Sequence, residues 1–280
     1  MNNKLKVVIP TDFTVQGDYA YVMVKNLAEK LDMDVTFLHV LGVPDTVTMD
    51  SDGNIDTCGE IDVDYVVKQK EMAQEKLALI KKQHGDHIKT ALVLGKTTTG
   101  IIEYAENNNY DLIVMGTKGS SGLSERVVGS EAQVIARKSN VPVLTLMCDR
   151  SDFQLQKIVV VNNYNEVKSN TKLDILLKLQ SSFASEIHLL QITDDLSEDN
   201  KGKIEAAMKE FAANNGIENY VTHILKDSDI ENGVIHFNQI NNMDMVCIGT
   251  KGTGGFFHNS AAESLINHMY KPVITYRIKA

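Results

Sequence analysis

Short apolar runs alternate along the chain with longer stretches whose apolar residues recur every three or four positions. Lys6 to Pro10 is rich in β-branched residues and too short for a helix, which predicts a strand. Ala20, Val24, Leu27, Ala28 and Leu31 then share one helical face, and Val35 to Val40 reads as a second strand. The polar stretch from Gly42 to Glu60, with Pro44, Gly53 and Gly59, predicts a loop. Ala73, Leu77 and Ile80 mark a helix, Ile88 to Leu94 a strand, and Gly100 to Asn107 a helix. Leu112 to Met115 is the fourth strand, Ser130 to Ser139 a helix, and Pro142 to Met147 the fifth strand. Strands alternating with helices in this way predict an α/β fold with a parallel sheet covered on both faces.

The same order of landmarks then recurs. Gly116-Thr-Lys-Gly119 returns as Gly249-Thr-Lys-Gly252, each after an apolar run opened by an aspartate, Asp111 or Asp244. Gly100-Ile-Ile-Glu-Tyr-Ala has its counterpart in Gly233-Val-Ile-His-Phe-Asn. Lys6-Val-Val-Ile-Pro-Thr-Asp matches Lys157-Ile-Val-Val-Val-Asn-Asn, and Val141-Pro-Val-Leu-Thr matches Lys271-Pro-Val-Ile-Thr. Five landmarks in one order describe a duplication. The expected boundaries are a first domain over 1–147, a polar linker over 148–156, and a second domain over 157–280. A length of 280 residues suits two domains of this size.

Composition narrows the partners. With 43% hydrophobic and 23% charged residues the chain is an ordinary globular one, and a net charge of −9 argues against a nucleic-acid or anionic-membrane surface. The three cysteines form no CxxC pair, which fits a reducing compartment rather than disulfides or zinc. The apolar stretch near the N-terminus is too short for a signal-peptide core, and no run approaches the roughly 20 apolar residues of a membrane span. A cytoplasmic protein is expected. The eight histidines read as dispersed, with His39 and His236 as core or rim residues, and no catalytic or metal-binding set emerges.

One segment carries chemistry. After strand four the first copy runs Gly116-Thr-Lys-Gly119, nine further residues, then Gly129-Ser130. Glycines at a strand's carboxyl end allow a turn whose amides point at an oxyanion, and a helix opened by Ser130 would add its first-turn amides and dipole. Helix capping explains Ser130 equally well, since Ser130-Glu-Ala-Gln133 and Ser260-Ala-Ala-Glu263 both fit a capping box. Asp12, at the end of strand one, could accept from a ribose or an adenine amine, or could tighten the following turn. Lys118 and Arg126 suit phosphate contacts and a solvated surface pair alike.

At these residues the chain resembles the universal stress protein family in its tandem-domain form. Gly116, Gly119, Gly129 and Ser130 match the G-x2-G-x9-G-[S/T] pattern of that family's ATP-binding members. Val8-Ile9-Pro10-Thr11-Asp12 is similar to its first strand, Leu38-His39-Val40 to its second, and Ser139-Asn-Val-Pro-Val to its last. The resemblance implies two tandem doubly wound domains, each a five-stranded parallel sheet in the order 3-2-1-4-5, with ATP over strands one and four. By position it puts Asp12 and Val40 on the adenosine side, with Pro10 and Thr11 beside Asp12. Gly116, Gly119, Gly129 and Ser130 would hold ribose and phosphates, with Met115, Lys118 and Glu131 as neighbours. It also implies that the fifth strands, Val143 to Leu146 and Val273 to Tyr276, pair within the chain, while a homodimer of whole chains stays open.

The second copy departs from the pattern. Asn163 stands where the first has Asp12, and only six residues separate Gly252 from Asn259-Ser260, with Phe256 and Phe257 suited to packing. ATP, with or without Mg²⁺, is therefore expected in the first domain, in a stress-response protein acting as sensor or regulator. The alternatives are a nucleotide-free interaction and dimerisation module, or a slow ATP hydrolase with Asp12 or Glu131 as base. Gly95-Lys-Thr-Thr is set aside as a P-loop because Thr90 stands where the first glycine belongs.

Overall fold

The computed structural model describes residues 4–50, 52–57, 61–117, 129–167, 173–250 and 256–278. In the first half, β1 (Leu5–Pro10), α1 (Val15–Ala28) and β2 (Met33–Gly42) lead to a small hairpin, β3 (Val47–Met49) and β4 (Ile55–Thr57). Then come α2 (Val63–His84), β5 (Lys89–Gly95), α3 (Thr97–Asn107), β6 (Leu112–Gly116), α4 (Gly129–Lys138) and β7 (Val143–Leu146). The second half repeats the alternation as β8 (Lys157–Val161), α5 (Asp174–Phe183), β9 (Glu186–Thr193), α6 (Glu198–Asn214) and β10 (Tyr220–Lys226). It continues with α7 (Ile230–Asn241), β11 (Met245–Thr250), α8 (Phe256–His268) and β12 (Val273–Arg277).

Among the described residues the strands form one ten-stranded sheet in the order β10-β9-β8-β11-β12-β7-β6-β1-β2-β5, beside the two-stranded β3-β4 sheet. Within each half the neighbours run parallel, so each half is a doubly wound sheet in the order 3-2-1-4-5, the order that the family resemblance implies. Where the halves meet, β7 pairs antiparallel with β12, with Leu144 opposite Ile274. Thr145 donates its hydroxyl to the Val273 carbonyl at 3.2 Å, and Thr275 donates to Val143 at 3.4 Å.

Both faces of the sheet are covered, which explains why its strands read as near-continuous apolar runs. On one face Val7, Ile9 and Phe37 join Leu27 of α1, and on the other Val8 and Ile113 join Ile101 of α3 and Ile135 of α4. Val7, Val8, Ile113 and Ile135 have no exposed surface, and each such side chain contributes about 1.5–3 kcal/mol of burial.

Several expectations need correction. The stretch expected as a loop over Gly42 to Glu60 contains the β3-β4 hairpin, whose three-residue strands are too short to show a period of two. Its turn is closed by Asp50, which accepts from the amides of Asp52 and Asn54, with Gly53 at φ 84°. Helix α8 begins at Phe256, so Phe256 and Phe257 open a helix, and Ser260 lies within it rather than capping it. Likewise α4 begins at Gly129, which puts Ser130 in its first turn. Within the polar connection over 148–156, Leu155 is buried and Asn26 of α1 donates to the Arg150 carbonyl.

Candidate functional site

In the first half the chain leaves β1 in two opposite directions, towards β2 and β5 on one side and, later, towards β6 and β7 on the other. Beyond the carboxyl ends of β1 and β6 the direction reverses, a place where a doubly wound sheet leaves a crevice. It is present here, with a volume of about 340 Å³. Its walls are Pro10, Thr11 and Asp12 at the end of β1, Leu38 to Val40 of β2, Met115 to Thr117 at the end of β6, and the starts of three helices. Those helices contribute Gln16 and Gly17 from α1, Thr97 and Ile101 from α3, and Glu131 and Ala132 from α4.

The backbone at the end of β1 is held in an unusual shape. Phe13 adopts φ 66°, the left-handed region that non-glycine residues seldom enter. Its amide donates to Thr11 Oγ1 at 3.0 Å, which fixes the turn from within. Asp12 Oδ1 accepts from the Thr14 amide at 3.0 Å and from the Thr14 hydroxyl at 2.6 Å. The turn-tightening role open to Asp12 is thus realised, and Asp12 itself stays exposed at the cleft rim. His39 Nδ1 lies 2.7 Å from the Thr11 carbonyl and ties β2 to the same turn.

The helices add a field. Asp62, Ser197 and Asp229 cap α2, α6 and α7 with side-chain oxygens. Thr14 and Lys96, at the starts of α1 and α3, make no such bond, and both helices open onto the cleft. Helix starts without a side-chain cap, with their dipoles, favour a negatively charged group there. The counterpart of α3 in the second half, α7, is satisfied by its own Asp229.

Of the residues expected at the site, the cleft brings together Pro10, Thr11, Asp12, Val40, Met115, Gly116 and Glu131. Lys118 and Gly119 lie outside the described residues; Gly129 and Ser130 are described only as the start of α4. Gln16, Gly17, Leu38, His39, Thr97, Ile101, Thr117 and Ala132 were missed as lining residues. For Thr97 a signal existed: the Gly95-Lys-Thr-Thr segment is no P-loop, yet it follows a strand and so starts a helix at the same sheet edge.

At the corresponding place in the second half, protein side chains meet one another. Asn162, the counterpart of Thr11, is buried and donates its amide to Tyr276 Oη at 2.7 Å. A β-carbon on Gly249 would lie 2.3 Å from Ile278 Cδ1. Asn163, the counterpart of Asp12, is joined to Gln191, whose Oε1 accepts from the Tyr164 amide at 2.8 Å.

The histidines depart from expectation in two places. His236 is exposed, 3.5 Å from Asp227, and is not a core or rim residue. The histidines are not all dispersed: His188 Nδ1 lies 2.9 Å from His223 Nε2, and His188 Nε2 lies 3.1 Å from Glu186. Residues far apart in sequence meet there because β9 and β10 are adjacent. Among the described residues no group of three or more His, Cys, Asp or Glu could hold a metal ion, and no helix is long and apolar enough to cross a membrane.

Known proteins give the arrangement a family. Over its full span the chain resembles a universal stress protein from Archaeoglobus fulgidus, with a TM-score of 0.74 at 18% identity and 98% of each chain covered, which is a likeness of fold. In sequence it is 33% identical over 144 residues to one universal stress protein of Methanocaldococcus jannaschii, covering 50% of this chain and 81% of that protein. It is 28% identical over 151 residues to a second protein of that name from the same organism, covering 50% of this chain and 93% of that protein. The model of the Universal stress protein family matches residues 5–146, the half that holds the cleft. The chain belongs to the universal stress protein family.

Proposed function

We propose that the chain binds ATP in the cleft of its first half and acts as a nucleotide-responsive regulator in the cytoplasmic stress response. The observation that carries this reading is the cleft itself. A volume of about 340 Å³ is within the usual range for small-ligand sites, and it lies at a sheet switch point. Its apolar end, with Leu38, Val40, Ile101 and Met115, suits a flat base. Asp12 offers a rim carboxylate for ribose or amine donors. The uncapped starts of α1 and α3, and the start of α4 where Gly129 and Ser130 fall, suit the phosphates. The match of Gly116, Gly119, Gly129 and Ser130 to the family's ATP-binding pattern supports the same ligand, and Mg²⁺ would accompany it as the counter-ion of the phosphates.

In this reading the second half is a scaffold. Its loop is three residues shorter between Gly252 and Asn259, and Asn163 stands where the first half has the Asp12 carboxylate. The test is thermal unfolding with and without ATP and Mg²⁺. Ligand at a hundredfold excess over its dissociation constant stabilises by about 2.7 kcal/mol. A rise in Tm that follows the logarithm of ATP concentration is expected, and an unchanged Tm at millimolar ATP contradicts the reading.

A further inference from the structure

The helix that opens at the cleft is held from the other half of the molecule. On α4, Glu131 and Ala132 line the cleft, while Ala132, Ile135 and Ala136 are buried against the sheet. Gln133 and Arg137, one turn apart, face α8. Gln133 Nε2 donates to the Glu263 carbonyl at 2.9 Å, and Arg137 Nη1 donates to Glu263 Oε1 at 3.0 Å. At the far end of α4, Arg277 of β12 donates to the Arg137 carbonyl at 2.8 Å. Thus three bonds from the second half grip a helix of ten residues.

The grip has a sense. Aligning Ser130 with Ser260 makes Gln133 the counterpart of Glu263 and Arg137 the counterpart of Asn267. The two halves therefore meet near their pseudo-twofold axis with the cation on one helix and the anion on the other. Glu263 is also the residue that fits a capping box in sequence, yet α8 starts well before it and its carboxylate is spent on Arg137. Side chains of Arg137 and Glu263 are 35% and 26% exposed, so solvent screens the pair only in part.

A short helix pinned along its length and at its end moves as a rod. Shifting it against α8 displaces its first-turn amides by a similar amount, and sites that recognise anions are sensitive to shifts below an ångström. We infer that Glu263 of α8 is a positioning residue for the cleft: through Gln133 and Arg137 it sets where α4 presents its N-terminus, and so couples the second half to ligand binding in the first. This rests on the ligand reading given above.

The test uses the full-length chain with Glu263→Ala, Glu263→Gln, Arg137→Ala and the exchanged pair Arg137→Glu/Glu263→Arg. Amide exchange across residues 129–138, the ATP dissociation constant and the ligand-free Tm are measured for each. The expected result is faster exchange at the start of α4 and ATP affinity about three- to tenfold weaker in the single variants, the net range of one ordinary hydrogen bond. Both return towards wild type in the exchanged pair, and Glu263→Gln, which keeps the shape, lies between. A merely structural role would lower Tm without altering the affinity of the folded protein, and that outcome overturns the inference. Unchanged α4 exchange in all variants overturns it as well. If the wild-type chain takes up no ATP, the ligand reading fails separately. Positioning is then upheld by exchange that rises in the single variants and recovers in the pair, and overturned by exchange that does not.

Discussion

The carbonyl oxygen of Gln16 lies 2.3 Å from where a β-carbon on Gly116 would sit. The first turn of α1 is thus pressed onto the end of β6, and a glycine is needed there for close approach whether or not a ligand binds. Substituting Gly116→Ala forces backbone to move at the cleft floor. A cost of about 1–3 kcal/mol is expected, visible as a lower midpoint in urea unfolding, together with loss of ATP affinity. Gly249→Ala presses mainly on the flexible end of Ile278, so it should cost less and leave affinity unchanged.

Asp12 is separable into two roles. Its Oδ1 holds Thr14, a bond that the side-chain oxygen of asparagine retains. Asp12→Asn is therefore expected to keep the fold within about 0.5 kcal/mol. ATP affinity should fall about tenfold, as a charged hydrogen bond becomes a neutral one. Calorimetric titration and thermal unfolding of the same variant check both halves of this statement.

Tyr276 and Asn162 form a buried polar pair in the second half, bonded at 2.7 Å, and burial pushes the Tyr276 phenol well above its ordinary range. Removing the hydroxyl with Tyr276→Phe leaves the Asn162 amide short of a partner, at a cost of about 1–3 kcal/mol. Because the pair lies outside the first cleft, the ATP dissociation constant should not move. A weakened constant would place the second half in the binding event.

The His188–His223 pair predicts a pH dependence. Burial, and then the neighbouring His188, lowers the pKa of His223 below its ordinary 6.5. The folded state thus disfavours the proton that the unfolded chain accepts. This contribution to stability is complete above the unfolded value and is lost as pH falls from about 6.5 towards the folded value. His84, also lowered by burial, acts in the same direction. The Tm should drop between about pH 7.5 and about pH 5.5, and His223→Gln should flatten that slope. Equal slopes for the variant and wild type would contradict the assignment.

Much of this architecture was legible before any coordinates, for identifiable reasons. The apolar runs at Lys6 to Pro10 and Leu112 to Met115 are central strands buried on both faces, which is the strongest pattern a parallel sheet offers. The glycine landmark at Gly116 was legible too, although the packing of Gln16 against it was not, since it depends on how α1 meets β6. Pattern failed where an element is short or a contact is long-range. The β3-β4 hairpin has too few residues to show alternation, and the His188–His223 contact depends on strand order. Gln16 carries no chemical signature, and the motif over Thr97 points to a P-loop that is not there; the place of both at the cleft comes from where α1 and α3 start. Ser260 misled because a capping-box spacing also occurs inside helices, where Glu263 serves a neighbouring helix.

The most direct test of the central claim is the stoichiometry of nucleotide binding by the intact chain. Isothermal titration with ATP and Mg²⁺ should give one equivalent per chain, abolished by Gly116→Val and retained in Tyr276→Phe. Two equivalents would mean that the second half also binds, and no heat together with no retained nucleotide would contradict the account.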